Sequence, residues 1–390
     1  MRICGIIAEY NPFHSGHRYH VTRARALTGC DCVAAVMAGS FSQRGDAMLL
    51  DKWTRTRMAL ENGVDVVVEL PVRFAVGPAE RFARGGVAIL SALGADAFSF
   101  GCECGETERF NRLVDMRADE PDALRRAVKA NLKLGMAHPR ARGAALAALL
   151  NIEEDALTGP NDALAVEYMH ANRRARRPMV VYPVVRTAPY HGMEIDDIAS
   201  ASAIRAAWAR GDAGALRAMP ESSAALLNAY RGCADMARLD EALLIRLRAM
   251  NRDDFKALPD AGEGIEMRAM KCAANAHGRE SLIEAVKCKR YTRARISRLL
   301  THALLHMTRT ETEAAYPEYI RVLGFRKDAV PLLASIGRIA ALPMVTDPMR
   351  LRGSAEFEIE TRATDIWGLA TDNPTYRAAG NDYRQKMVIV

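Results

Sequence analysis

No two of the eight cysteines, at 4, 30, 32, 102, 104, 233, 272 and 288, stand at C-x-x-C spacing. Two pairs are C-x-C, which argues against a tetrahedral zinc site. No apolar run approaches the roughly 18 residues that a membrane span needs. There is no internal repeat and no low-complexity linker, so a repeat array is excluded. No secretory signal stands ahead of the opening strand-like segment; the expectation is a reduced, cytoplasmic protein with free thiols and no membrane contact. What the chain does have is length: 390 residues, more than one domain usually holds, which points to two. With 49% hydrophobic and 26% charged residues it can bury an ordinary core. A net charge of +7 and a pI of about 9.0 favour a polyanionic partner, although many basic proteins bind none.

The first two hundred residues alternate in pattern. RICGIIAEY (2–10), DCVAAVMAG (31–39), DVVVELP (65–71), ADAFSFG (95–101) and PMVVYPVVR (178–186) read as strands. Helical patterns follow Gly16 and cover DKWTRTRMALENG (51–63), AERFARGGVAILSALG (79–94) and SASAIRAAWARG (200–211). Asp51 suits an N-cap, and Gly63 and Gly94 suit helix ends. Strands alternating with helices imply βαβ units and a parallel sheet. The alanine-rich ARGAALAALLN (141–151) reads as a buried helix. From about residue 215 the segments become helix-periodic, with no strong strand before the tail. The expected class is therefore α/β: a Rossmann-like parallel-sheet domain over 1–215, then a mainly α-helical domain over 216–390.

One turn carries chemistry. NPFHSGHRYH (11–20) lies between the first strand and the first helix, on the edge where open α/β sheets bind ligands. Free N–H groups and the positive end of a helix dipole face such a loop. Gly16 lets an anion approach the backbone. His14 and His17 bracket it, and imidazoles can donate to phosphoryl oxygens and stabilise charge developing on an attacked phosphate. No acidic or cysteine cluster completes a metal shell, so phosphate fits this turn better than metal. Two surface histidines in an ordinary turn are the plainer alternative.

NPFHSGH resembles the HxGH signature of the nucleotidyltransferase superfamily. ASASAIR (199–205) is similar to that superfamily's Ser/Thr-rich helix start, with Ser200, Ser202 and Arg205 at matching positions and Ala201 where a second serine often stands. AEYNPFHSGHRYH, VMAGSFSQRGD (36–46), DKWTRTRMAL (51–60), VVVELP (66–71), FARGG (82–86), FSFGCE (98–103), GPNDALAVEY (159–168) and KRYTRARISRLL (289–300) together resemble the tRNA(Met) cytidine acetate ligase family, across essentially the whole chain.

That resemblance implies a Rossmann-like nucleotidyltransferase domain and a helical tRNA-binding domain. It implies an enzyme that uses ATP and acetate to form acetyl-adenylate and acetylates N4 of the wobble cytidine of elongator tRNA(Met). Magnesium is expected with the ATP, and no protein metal site. His14 and His17 would be catalytic. The ATP site would comprise Ile7, Ala8, Glu9, Tyr10, Asn11, Pro12, Phe13, His14, Ser15, Gly16, His17, Arg18, Tyr19 and His20, joined by Gly101, Asn161, Arg186, Ser202 and Arg205. Asn161 has a plainer reading as a helix N-cap, Gly101 as a tight turn and Arg186 as a surface charge. The basic run supplies Lys287, Lys289, Arg290, Arg293, Arg295 and Arg298 for RNA, with Tyr291 interleaved and no acid between Lys287 and Arg298; Arg321, Arg326 and Lys327 add to it. A solvated helix face is the alternative there. The roles of Gln43-Arg44-Gly45-Asp46 and Lys52-Trp53 stay open: acetate, pyrophosphate or the incoming base. A small-molecule adenylyltransferase and a non-catalytic RNA-binding protein stand as rival readings.

Overall fold

The apolar stretches of the first half form five parallel strands: β1 Ile3–Ala8, β2 Cys32–Ala38, β3 Val66–Leu70, β4 Ala97–Cys102 and β5 Val180–Val185. The computed structural model describes residues 1–118, 122–136, 138–150, 159–186, 199–314 and 316–390. β6 Ile320–Phe325, β7 Met344–Val345 and β8 Val388–Ile389 complete the sheet, in the order β5-β4-β1-β2-β3-β6-β7 with β8 beside β6. β6 runs antiparallel to β3, the only antiparallel pair among these strands.

Side chains alternate along each strand and so serve two cores. Ile3, Ile7, Val36 and Val68 face helices Ala79–Ala92 and Pro160–Arg173. Cys4, Ile6, Val33, Met37 and Val67 face helices Ser15–Thr28, Lys52–Leu60 and Ala201–Ala209. Two glycines in FARGG allow helix Ala79–Ala92 to lie close against its neighbours. A Cβ on Gly86 would meet Ile7 Cδ1 at 2.6 Å, and one on Gly85 would meet Phe74 Cβ at 2.5 Å. Asp51 does cap helix Lys52–Leu60, its Oδ1 accepting from Thr54 N at 2.8 Å. The alanine-rich segment forms helix His138–Leu150, with Ala141, Ala145 and Ala147 buried; Asn151 lies outside the described residues.

Beyond residue 215 the described chain is mostly helical, but a division at 215/216 does not gather the whole sheet on one side. IRVLGF (320–325), part of a segment read from sequence as a basic surface, is strand β6, fully buried. Its Arg321 is held inside the protein by Glu69 (2.8 Å) and Asp382. Lys52 Nζ reaches the same two carboxylates, each at 2.6 Å. The two cations and two anions thus close on themselves, and they tie helix Lys52–Leu60, β3, β6 and the C-terminal segment together. Arg326 likewise pairs with Asp328 at 2.6 Å. All eight cysteines are free, and no described helix is long and apolar enough to cross a membrane.

Candidate active site

β1 is flanked by β2 on one side and β4 on the other, because the chain steps outward through β2 and β3 and then crosses back to place β4 and β5 on the far side of β1. A crevice opens at the carboxyl ends of strands at such a point. Here it is a cavity of about 460 Å³, walled by the ends of β1, β4 and β5, the turn after β1, loop 42–46 and two helix starts.

His14 is the N-cap of helix Ser15–Thr28. Its Nδ1 accepts from Gly16 N at 3.1 Å, while its own backbone N–H donates to His17 Nδ1 at 3.2 Å. Since both Nδ1 atoms accept from N–H groups, each ring carries its proton on Nε2. The Nε2–H groups are the donors left for a ligand. The two rings lie against each other with centroids 3.8 Å apart and planes tilted by 32°, and Tyr10 packs edge-on to His17 at 4.9 Å. Burial, with Arg186 and Arg205 nearby, pushes His14 down to about 3. Burial and the adjacent His14 hold His17 well below the ordinary imidazole range. Two adjacent neutral donors at a helix N-terminus can stabilise an anion without first being charged.

His20 faces the same cavity and is pushed to about 4 by burial and Arg186. Ser99 Oγ donates to Tyr182 O, so its contact with His20 Nε2 at 2.9 Å is one in which His20 donates. Its Nδ1 is then an acceptor. Because all three pKa values are lowered, the neutral rings persist until the pH falls well under the ordinary value of about 6.5. Ring ¹⁵N spectra of the free protein are expected to show bare Nδ1 and protonated Nε2 on His14 and His17 from about pH 8 to about pH 5. A ring among the three that titrates near its ordinary value contradicts this arrangement.

Arg205 Nη1 donates to Asn11 O at 2.7 Å and so ties the SASAIR helix start to the turn. Ser200 caps that helix through Ala203 N and lies 3.0 Å from Ser202 Oγ. Arg186, at the end of β5, keeps its Nε buried with no hydrogen-bond partner. A Cβ on Gly101 would meet only Arg186 Cγ and Cδ, the nearer at 3.5 Å, so no tight turn demands glycine there. Asn161 is not the N-cap of its helix, a place taken by Gly159; its Nδ2 donates to Glu103 at 2.6 Å.

Of the residues expected at the site, Ile7, Ala8, Glu9, Tyr10, Asn11, His14, Gly16, His17, Tyr19, His20, Gly101, Asn161, Arg186, Ser202 and Arg205 line the cavity. Pro12, Phe13, Ser15 and Arg18 do not. Pro12 and Phe13 are buried in the core, Ser15 N bonds to Ala218 O, and Arg18 is turned to solvent by the helix period. Sequence reading missed Phe82, Phe100, Leu164 and Tyr168, which make the apolar wall. Asn161, Leu164 and Tyr168 share a helix face at spacings of three and four, a signal that was available.

Ser42, Gln43, Arg44 and Asp46 of loop SQRGD also line the cavity. Gln43 N donates to Glu9 Oε1 at 2.7 Å. Gly45 turns with φ of 81°, in the region that favours glycine, and its carbonyl accepts from Thr301 Oγ1 at 2.6 Å. Ser297 donates to Arg44 O, and Arg279 pairs with Asp46 at 2.8 Å. The helical part of the chain therefore holds this loop in place. Lys52 and Trp53 are elsewhere: Lys52 is 1% exposed within its ion pairs, and Trp53 stacks on Tyr376.

The basic run is largely neutralised by acids outside it. Lys287 pairs with Glu284, Arg293 with Glu280 and Glu284, Arg295 with Glu263, and Arg298 with Asp260. Tyr291 is buried, donating to Glu263 O. Lys289 and Arg290 remain exposed at a tight turn, without ion-pair partners among the described residues.

A family model described as HIGH Nucleotidyl Transferase matches residues 1–382. A tRNA(Met) cytidine acetate ligase of Thermoanaerobacter pseudethanolicus is 35% identical, with 100% of both chains covered. That of Bacillus subtilis is 32% identical over 96% of this chain and 94% of its own. The chain belongs to the tRNA(Met) cytidine acetate ligase family. Its fold agrees: Thermotoga maritima TmcAL bound with alpha-thio ATP matches with a TM-score of 0.91 at 30% identity, covering 100% of both chains. As a member of this family the protein is a ligase on a nucleotidyltransferase fold.

Proposed function

We propose that the cavity binds ATP and acetate, forms acetyl-adenylate with release of pyrophosphate, and passes the acetyl group to N4 of the wobble cytidine of elongator tRNA(Met), giving N4-acetylcytidine. The observation that carries this reading is the pair of neutral imidazoles with Nε2–H free, at a helix N-terminus in a cavity that also holds Arg186 and Arg205. Family membership and the ATP analogue bound by the T. maritima neighbour support it.

In the first step an acetate oxygen attacks the α-phosphorus and the bond to the bridging oxygen of pyrophosphate breaks. His14 and His17 donate to the α-phosphoryl oxygens as charge builds there, an effect worth about 3–4 kcal/mol for one well-placed donor. Arg186, Arg205 and Ser202 hold the phosphates, and the apolar wall of Phe82, Phe100, Leu164 and Tyr168 takes the adenosine. In the second step N4 attacks the acetyl carbon, AMP leaves with the bridging oxygen, and the amine loses a proton. Activation answers the poor nucleophilicity of an exocyclic amine and the inertness of acetate.

Among the described residues no group of three His, Cys, Asp or Glu side chains could hold a metal ion. Magnesium fits as an ion that arrives on the triphosphate, keeping its waters. Glu9 and Asp46 are carboxylates on the wall that would face it. For RNA we retain Lys289 and Arg290 as direct contacts; Lys287, Arg293, Arg295 and Arg298 contribute through ion pairs that shape the surface.

The expected result is acetate-dependent ATP–pyrophosphate exchange, and N4-acetylcytidine in tRNA(Met) by mass spectrometry after incubation with ATP and acetate. If no carboxylic acid supports exchange and no tRNA is acetylated, the proposal fails.

A further inference from the structure

A second, larger cavity of about 810 Å³ lies on the other side of the two helices that wall the first. Helix Ala79–Ala92 turns Phe82 toward the nucleotide cavity and Arg84 toward this groove. Helix Pro160–Arg173 turns Leu164 and Tyr168 one way, and Glu167, His170 and Arg174 the other. The two sites are thus separated by the thickness of one helix, about 10–12 Å.

The groove carries positive charge that is not neutralised. The helix ends in RRARR, residues 173–177. Arg173 pairs with Asp115 and Arg177 with Asp96, the latter at 2.7 Å. Arg174 and Arg176 are exposed and have no side-chain partner among the described residues. Across from them, Arg84 Nε is buried with no hydrogen-bond partner. Ala171, Ile339 and Leu342 give an apolar floor, and Tyr316 stands 63% exposed at the rim. Glu80 and Glu167 also line it. With Arg177 paired to Asp96, Arg84, Arg174 and Arg176 stand against Glu80 and Glu167, which leaves one positive charge in surplus for phosphate. The carboxylates and the aromatic rim suit base amino groups, 2′-hydroxyls and base faces, which a bare phosphate or a lipid headgroup does not present. With the run at 287–298 mostly neutralised, Arg174 and Arg176 form a second pair of exposed cations without ion-pair partners among the described residues, in addition to Lys289 and Arg290.

We propose that this groove docks the RNA substrate, with Arg174 and Arg176 on its phosphates and Tyr316 against a base or ribose, so that the strand crosses the helix pair into the nucleotide cavity. The inference rests on the reading of the protein as a tRNA-modifying ligase.

The test is an Arg174→Gln/Arg176→Gln variant. Both side chains are exposed and unpaired, so its thermal unfolding is expected to match wild type. Acetate-dependent ATP–pyrophosphate exchange, measured without RNA, is expected to stay unchanged. The Kd and KM for tRNA(Met) are expected to rise about tenfold or more, with the salt slope of binding falling by about one for each phosphate that the variant no longer neutralises. An Arg174→Lys/Arg176→Lys variant is expected to recover most of the affinity. Unchanged tRNA affinity and salt slope, or a wild type that binds no tRNA, overturns the groove. If wild type shows neither exchange nor acetylation while the variant still loses tRNA affinity, only the functional reading falls.

Discussion

A His14→Asn variant is expected to lose about 10²–10³-fold in the rate of acetate-dependent ATP–pyrophosphate exchange, the cost of removing one preorganised donor. The choice of asparagine matters because His14 does two jobs. Its Nδ1 caps helix Ser15–Thr28 through Gly16 N, and its Nε2–H is the donor left for the ligand. Asparagine is itself a strong N-cap, so it keeps the first role while the side chain becomes too short for the second. Thermal stability is therefore expected to change little, which separates lost chemistry from a frayed helix. If the donor acts mainly on charge developed at the transition state, kcat falls and KM for ATP moves little. A rate within about threefold of wild type would remove His14 from the chemistry. His17→Asn is expected to behave alike, because His17 Nδ1 accepts from His14 N in the same manner.

Lys52→Met is expected to lower stability by about 3–5 kcal/mol while exchange per folded molecule stays near wild type. Lys52 is fully buried, and its ammonium bridges Glu69 and Asp382 at 2.6 Å each and Thr364 Oγ1 at 3.2 Å. Removing it leaves two buried carboxylates with Arg321 as their remaining cation. Urea unfolding measures the loss, and exchange assayed where the variant is still folded measures the chemistry. A stable variant with exchange abolished would put Lys52 back among the substrate-binding residues. The same cluster has a pH signature. The cations Arg321 and Lys52 outweigh the desolvation that burial imposes and hold Asp382 at about 2, below its ordinary value of 3.8. A depressed carboxyl adds stability above its unfolded value, and that contribution fades as pH falls from about 4 to about 2. Burial and the adjacent Glu69 carboxylate push Glu360 the opposite way, well above the ordinary carboxyl range.

These two predictions sit at opposite ends of what a sequence can reveal. The HxGH turn was readable because its function is local. Gly16 N, His14 and His17 meet within one helical turn, so a spacing of three residues already implies their geometry. The strand and helix order was readable for the same reason: period, caps and glycine stops act over a few residues. Asp51 caps its helix, and the five expected strands lie where their patterns stand.

The charge clusters were not readable. Between Lys287 and Arg298 the chain has no acid, and a one-dimensional view sees an open basic patch. In three dimensions Glu280, Glu284, Glu263 and Asp260 fold against it. Lys52 meets Asp382 across 330 residues of chain, so its position after the second strand suggested a ligand contact when its partners were carboxylates of the core. β6 was misjudged because Arg321 made its sequence look exposed; burial in the ion cluster gives that arginine a place inside the sheet.

What the amino-acid sequence by itself determined was the α/β class, the strand-turn-helix that carries His14 and His17, and the family. Each rests on contacts between residues near in sequence, or on blocks that keep their order. Which cations are free, which side chain walls the cavity, and which strand completes the sheet were decided only by tertiary structure. A charge's availability depends on whether a partner is within a few ångströms, and in this chain those partners come from segments up to 330 residues away.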